Sequence, residues 1–431
     1  MAEYHSVPDA DDDAFRALVE YAFCPENGPF DPAEADPGPD HEVGEPRGYY
    51  DGGDLLAVCR HYGLATELRE SVVDAGGVGT VASEPGRRRE GNVRELLAAS
   101  LAEYRDRGRR LALLWPFDIG FYRALGWATV SKLAVWEVAP DDLAGLAADG
   151  PDDRRAANRR DAGFERLTAD DWERLVPVQV ADHADADLAV RRTEAWWREF
   201  VFDRWDERPF VYAWVGDGDA GSDGDSDVRG YLVYHVAAEG DERVLVVREQ
   251  AARDVDARRQ LFRFCRDHDS QVDRVRFYTT PDAVAGEGFD PHRHLDDPGA
   301  AEATVRAGAM GRLVDVVEDL PAVVGPAADG VAAEFDLAVD DPLAGWNDGR
   351  FRVATTAGSG LDVDRVGGGV DPDGGDRPTV RLGVGPLSQV AVGSRSVEEL
   401  TRAGAVAGGD DALAALGDCF PPRRTLLREN F

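Results

Sequence analysis

The sequence is almost without lysine: of its 48 basic residues Lys132 is the only one, and the rest are arginine. Methionine is scarce too, with 2 residues, and the 4 cysteines, Cys24, Cys59, Cys265 and Cys419, are far apart with no CxxC pair. That spacing argues against a disulfide scaffold and a thiolate metal site, so buried free thiols and no bound metal are expected. No run approaches 18 uninterrupted apolar residues, which argues against a membrane-spanning helix. Met1 to Ala14 is acidic and polar, with neither a basic n-region nor an apolar h-region, so the cytoplasm is the expected location. Basic residues are outnumbered by 83 acidic ones, and a formal net charge of -35 leaves no basic face for nucleic acid.

What the chain does have is length and apolar content. Its 431 residues, 43% of them hydrophobic, suffice for about three domains at roughly 150 residues each. The acidity is spread along the sequence, and with arginine replacing lysine it resembles cytosolic proteins of organisms that keep molar salt inside the cell. At that ionic strength the Debye length is about 3 Å, so the excess charge aids hydration at little cost to compactness. Three acidic Gly- and Pro-rich stretches, 30–46, 216–228 and 366–378, cannot build a core and read as surface loops.

Between the loops lie three patterned blocks. In the first, Asp11-Asp12-Asp13 opens a helix with Phe15, Leu18, Val19 and Ala22 on one face. A β-rich middle follows, including Gly76–Ser83, then a helix carrying Val93, Leu96, Leu97, Leu101 and Tyr104. Leu111–Trp115 reads as a buried strand, and alternation over Thr129–Val138 predicts another that closes the block. The second block repeats the order: strand Phe164–Leu167, a helix start at Thr168 with Asp171, strands Phe210–Val215, Gly230–Val236 and Arg243–Arg248, a helix with Leu261, Phe262 and Cys265, and strand Arg274–Thr279. This is the pattern of a diverged internal copy. The third block starts near Met310 and mixes strands (Val331–Val339, Gly349–Thr355, Thr379–Val384) with helices around Leu387–Val392, Val397–Ala403 and Asp411–Gly417. It runs to Phe431 with no low-complexity tail.

The most informative stretch joins a predicted strand to a predicted helix, from Val81 to Arg94. Pro85 ends the ladder, and Gly91 lets the backbone approach a ligand at the first helical turn. The N–H groups of Gly91, Asn92 and Val93, with the helix dipole, would converge on an anion. Arg88, Arg89 and Arg94 add charge-assisted donors suited to phosphate. A solvated basic turn is the bland alternative. It is neither a GxxxxGK[ST] loop nor a GxGxxG fingerprint.

Arg88-x-x-Gly91-x-Val93 resembles the acyl-CoA pyrophosphate loop of GNAT acetyltransferases, Arg/Gln-x-x-Gly-x-Gly/Ala, departing at the last position. Phe121-Tyr122-Arg123-Ala124-Leu125-Gly126-Trp127 is similar to the Y-x-x-x-G-[YFW] element of that fold. With the duplicated block, the Met310–Asp315 segment and Cys419-Phe420-Pro421-Pro422 before Phe431, the whole chain resembles the Eis (enhanced intracellular survival) family. The resemblance implies an α/β (α+β) chain with an active GNAT domain over 1–145, a degenerate second one over 160–300, and a sterol-carrier-protein-like domain over 305–431. It implies acetyl-CoA as co-substrate, a small-molecule or peptide amine as acceptor, and self-association, hexamers being usual in the family.

By the same resemblance, Val81, Ala82 and Ser83 would hold the pantetheine arm as an extra strand partner. Arg88, Arg89, Glu90, Gly91, Asn92, Val93 and Arg94 would frame the pyrophosphate, and Phe117 and Asp118 would lie along the reactive end. Tyr122 would protonate the departing thiolate, and the α-carboxylate of Phe431 would take the proton of the acceptor amine. Read without the family, Tyr122 is a core tyrosine and Phe431 an apolar plug. His292 and His294 lack a third ligand and read as loop residues. Trp196-Trp197 reads as helix packing, and Gly48-Tyr49-Tyr50 as a candidate acceptor-pocket lining. Arg248–Asp256, at the phosphate-turn position of the second block, has no glycine, so that copy is expected to bind no cofactor. An apolar-ligand binder built on the third domain is the reading from a different class.

Overall fold

A computed structural model of the chain describes residues 2–33, 43–147, 163–203, 208–216, 227–279, 295, 297–324, 334–356, 360–366 and 377–431. The three acidic stretches fall mostly outside these residues, and His292 and His294 wholly so. In chain order the first elements are β1 (Ala2–Ser6), α1 (Asp12–Phe23), β2 (Glu45–Asp51), β3 (Asp54–Leu68), β4 (Ser71–Ser83), α2 (Asn92–Asp106), β5 (Leu111–Leu114), α3 (Ile119–Ala124) and β6 (Ala128–Thr129). The second block contributes β7 (Lys132–Val138), β8 (Gly163–Arg166), α4 (Val176–Asp182), β9 (Val190–Arg191), β10 (Phe210–Gly216), β11 (Asp227–Glu239), β12 (Glu242–Ala252), α5 (Val255–Arg266), β13 (Arg274–Thr279) and β14 (Glu302–Ala307). The remainder is β15 (Met310–Leu313), α6 (Val316–Val324), β16 (Glu334–Asp340), β17 (Gly349–Thr356), β18 (Gly360–Val366), β19 (Thr379–Gly383), α7 (Val384–Ala391), α8 (Val397–Arg402), β20 (Val406–Gly408) and α9 (Asp410–Cys419).

These elements form two compact units. One comprises Met1–Ser131, Ala186–Arg191 and Gly308–Phe431, and the other Lys132–Asp185 with Arg192–Ala307. The first holds a sheet of order β1-β2-β3-β4-β5-β15-β6, with β9 added on β3, and a five-stranded sheet of order β18-β17-β16-β19-β20. Heptad-like spacing on α2 puts Leu96, Leu97, Leu101 and Tyr104 against Ala57, Cys59 and Val78 on one face of the larger sheet. Phe15 and Leu18 of α1 cover Val58 and Ala82 on the other face. Each fully buried side chain of this kind contributes about 1.5–3 kcal/mol of transfer free energy.

The second unit is a sheet of order β14-β7-β13-β12-β11-β10-β8. Its run β11-β12-α5-β13 repeats β3-β4-α2-β5, down to the parallel pairing of the last two strands, Val244–Val247 with Arg274–Phe277. The expected duplication is therefore a duplication of architecture. Thr168 and Asp171 form the capping box read from the sequence, with Asp171 Oδ2 accepting the Thr168 N–H at 2.9 Å. Trp196 and Trp197 are buried, Trp196 stacked on Phe200.

Two strands differ from the sequence reading. Thr129–Val138 is not one strand: Ala128–Thr129 ends the first sheet, while Lys132–Val138 lies between β13 and β14 in the second unit. The break falls at Val130 and Ser131, whose N–H groups both turn to the Ala309 carbonyl. Met310–Leu313, read as the start of the third block, is instead a strand of the first sheet, antiparallel to β5 and to β6. Its Arg312 is fully buried, donates to the Leu125 carbonyl at 2.7 Å, pairs with the equally buried Asp341, and lies over the Trp127 ring. Arg312→Met leaves the Asp341 carboxylate without its charge partner. The expected loss is about 3–5 kcal/mol of stability, read as a lower urea midpoint at unchanged slope.

Candidate active site

The site begins with an irregularity in β4. Val58 pairs with Ala82 but Arg60 with Gly79, so β4 carries one extra residue against β3, and Thr80 there has φ +54°. Such a bulge bends its strand and re-aims the residues beyond it. The parallel ladder to β5 covers only Ala75–Val78, so past the bulge the β5-side edge of β4, through Val81, Ala82 and Ser83, has no strand partner among the described residues. An open row of backbone donors and acceptors is left on that edge.

Phe431 reaches this opening. A methyl group added to Gly77 would come 2.7 Å from its ring, and one added to Gly79 would come 2.7 Å from its main-chain carbonyl carbon and oxygen. Those two glycines therefore clear the space that the last residue fills. Its ring also lies 5.2 Å from the Tyr62 ring, and the residue is only 7% exposed. Trp115 Nε1 donates to the Glu429 carbonyl at 2.6 Å, fixing the approach. None of Gly77, Gly79, Tyr62 or Trp115 was singled out from the sequence. The side-chain-free Gly-Gly-Val-Gly run was the visible signal, but its purpose requires knowing what packs on it.

Tyr122 lies on the other side of the same strands. It packs with Ala57, Cys59 and Val78 on the α2 face, whereas Gly77, Gly79 and Tyr62 present the opposite face to Phe431. The residue is 1% exposed and edge-on to Phe117, Phe121 and Trp127. No hydrogen-bond partner for its hydroxyl occurs among the described residues. Burial, with the Cys59 thiol nearby, pushes its pKa well above the usual tyrosine range, so the phenol stays protonated at neutral pH. Cys59 is itself inert, its thiol pushed up to about 12 by burial. Phe117, beside Tyr122, is 69% exposed. Asp118 serves as the cap of α3, accepting the Phe121 N–H at 2.9 Å.

The loop from β4 to α2 is open to solvent. Arg88, Arg89, Glu90, Gly91 and Arg94 are exposed, and Gly91 takes φ +89°, a conformation glycine adopts without strain. No side chain caps α2, so its first-turn N–H groups face outward. The Asn92 side chain braces the loop by donating to the Arg87 carbonyl at 3.1 Å, and Val93 packs partly into the α2 core. Glu90 pairs with Arg87 at 2.6 Å, Arg94 turns to the Pro342 carbonyl, and Arg88 lies over the Tyr21 ring.

The second unit closes the equivalent features with its own side chains. Asp254 caps α5, accepting the Ala257 N–H at 2.8 Å, and pairs with Arg229. Asp182 Oδ1 accepts the Ala252 N–H at the end of β12, at 3.1 Å. Of the aromatic pair read as a candidate acceptor-pocket lining, Tyr50 donates to Asp11 and stacks on His5, and Tyr49 packs partly buried against the α2 core. Among the described residues no group of three or more His, Cys, Asp or Glu side chains could hold a metal ion, and no helix is long and apolar enough to cross a membrane.

Comparison with known proteins defines the class. Residues 3–130 and 188–313 each match a family described as an acetyltransferase (GNAT) domain, and residues 315–428 match the sterol carrier protein domain. The chain is thus a tandem of GNAT domains followed by a sterol-carrier-protein-like domain, and it is a GNAT-type acyltransferase. It is 25% identical over 379 residues to an uncharacterized N-acetyltransferase of Streptomyces griseus, covering 84% of this chain and 83% of that protein. Among solved structures it is similar along its whole length to a probable N-acyltransferase of unknown function from Enterococcus faecalis V583 (TM-score 0.79, 18% identity, all of that chain). A second full-length likeness is to Eis1 from Mycobacterium abscessus (TM-score 0.67, 21% identity, all of that chain). At these identities the two structures speak for the fold.

Proposed function

We propose that the chain is an Eis-type, acetyl-CoA-dependent N-acetyltransferase that moves the acetyl group directly to a primary amine, of the aminoglycoside, lysine or polyamine kind. The observation that carries this reading is the carboxyl of Phe431 seated against Gly79 at the β4 bulge. An aliphatic ammonium has a pKa near 10.4, so at neutral pH a base must take its proton before it can attack a thioester. Phe431 supplies that base on one side of the strands. On the other side the protonated Tyr122 hydroxyl, unpartnered among the described residues, donates to the leaving sulfur. The Val81–Ser83 edge extends the ladder to the pantetheine amides. The uncapped α2 N-terminus with Arg88 and Arg89 takes the diphosphate.

In this reading the first GNAT copy ends at Ser131 and is completed by β15, the second takes most of Lys132–Ala307, and the sterol-carrier-protein-like domain follows β15. The second GNAT copy is scaffold, which its Asp254 cap and Asp182 plug support. The cellular setting is the cytoplasm of a salt-accumulating cell, with the chain assembled as a homo-oligomer. The direct test is acetyl-CoA turnover in molar KCl against a lysine peptide, a polyamine and an aminoglycoside; no transfer to any amine would reject the reading. Arg88→Ala or Arg89→Ala should raise the acetyl-CoA KM roughly tenfold at nearly constant kcat, the loss of one charge-assisted hydrogen bond of about 1.5 kcal/mol.

A further inference from the structure

The stretch that delivers Phe431 is held by two residues far from any expected site. Arg69 and Glu70 form the two-residue turn between β3 and β4, and both sit at positive φ, +47° and +67°. Hairpin turns of this kind favour Asn-Gly, because a side chain in the left-handed region is strained. Leu188, directly after Asp187, is at φ +69°. Three strained non-glycine residues in one place imply that the surroundings over-determine them.

What they surround is the end of the chain. Arg69 is fully buried; its guanidinium donates to the Ala391 and Pro421 carbonyls, both at 3.0 Å, and lies over the Phe420 ring. Its backbone N–H donates to Asp187 Oδ1 at 2.9 Å. Asp187 bridges to Thr425: its N–H donates to the Arg424 carbonyl, and its carbonyl accepts the Leu426 N–H, each at 2.8 Å. Further on, Thr425 Oγ1 donates to the Val130 carbonyl at 2.7 Å and the Leu427 N–H to Ser131 Oγ at 3.2 Å. The path from Pro421 to the glycine cleft is thus tied at nearly every second residue.

We propose that Arg69 and Asp187 are positioning residues that clamp the chain end and so set where the Phe431 carboxyl stands, a role that rests on the reading of Phe431 given above. The excursion of Ala186–Arg191 from the second block into the first unit then has a purpose: it carries Asp187 to the tail. Because an error of about 1 Å in a reacting group costs up to about 100-fold in rate, a strained but rigid anchor is worth its strain.

The test uses the full chain. A carboxypeptidase selective for C-terminal aromatic residues, followed by intact mass, reads how firmly Phe431 is held. D187A should release Phe431 at least about tenfold faster than the unaltered protein, and lower kcat by a similar factor with the acetyl-CoA KM unchanged. D187N, which keeps an oxygen for the Arg69 N–H, should restore most of both. Release no faster than in the unaltered protein overturns the clamp. Faster release with unchanged kcat overturns the Phe431 reading instead, and with it the positioning role. Should D187A fail to fold, R69K, which keeps the charge but cannot reproduce the guanidinium's paired hydrogen bonds to the Ala391 and Pro421 carbonyls, is read by the same criteria.

Discussion

Tyr122→Phe is expected to lower kcat by roughly 100- to 1,000-fold while the acetyl-CoA KM stays within about twofold, the range of a lost proton donor. The substitution removes one oxygen from a ring that is already packed by Phe117, Phe121 and Trp127, so the shape of the core is kept. That oxygen has no partner among the described residues, so its removal strands no donor or acceptor. Stability should therefore hold or rise slightly while turnover collapses. Steady-state kinetics, calorimetric acetyl-CoA binding and a denaturant midpoint together check this. Parallel losses in all three would make Tyr122 a packing residue.

The sequence showed clearly what depends on neighbours along the chain. The α2 face with Leu96, Leu97, Leu101 and Tyr104, the glycine before that helix, the Thr168–Asp171 cap and strand Arg274–Thr279 all follow from local periodicity or capping chemistry. Hidden were the features decided by distant pairing. Alternation in Lys132–Val138 reads the same whichever sheet receives it, and the choice of the second unit is made by partners at Arg274–Thr279 and Glu302–Ala307. Nothing local tells Met310–Leu313 that its place lies between β5 and β6. The site divides in the same way. The open loop around Gly91 is a local motif, whereas the space above Gly77 and Gly79 acquires meaning only when Phe431, more than 350 residues away, is seen to fill it. Asp118, placed by the resemblance along the reactive end, caps α3 through its side chain, a use of a short acidic side chain that spacing alone does not reveal.

Extending the chain by even a Gly-Gly pair beyond Phe431 should cost roughly 100- to 10,000-fold in kcat at pH 7, the range of a lost general base. The extension turns the carboxylate into an amide, which cannot accept the proton, and it adds bulk beside Gly77 and Gly79, where Phe431 already packs closely. The pH dependence separates these two effects. At pH 7 only about one amine in 2,500 is neutral, so the unaltered enzyme holds its full advantage there. As pH rises toward about 10.4 the amine deprotonates unaided, and a defect due to the missing base must shrink. A defect due to blocked access keeps its size at every pH. Phe431→Leu keeps the carboxyl while losing the ring's packing on Tyr62 and over Gly77, so it should retain far more activity than the extended chain. If the extended chain turns over as fast as the unaltered one at pH 7, the proton leaves the amine by another route, and Phe431 is only a wedge between strands.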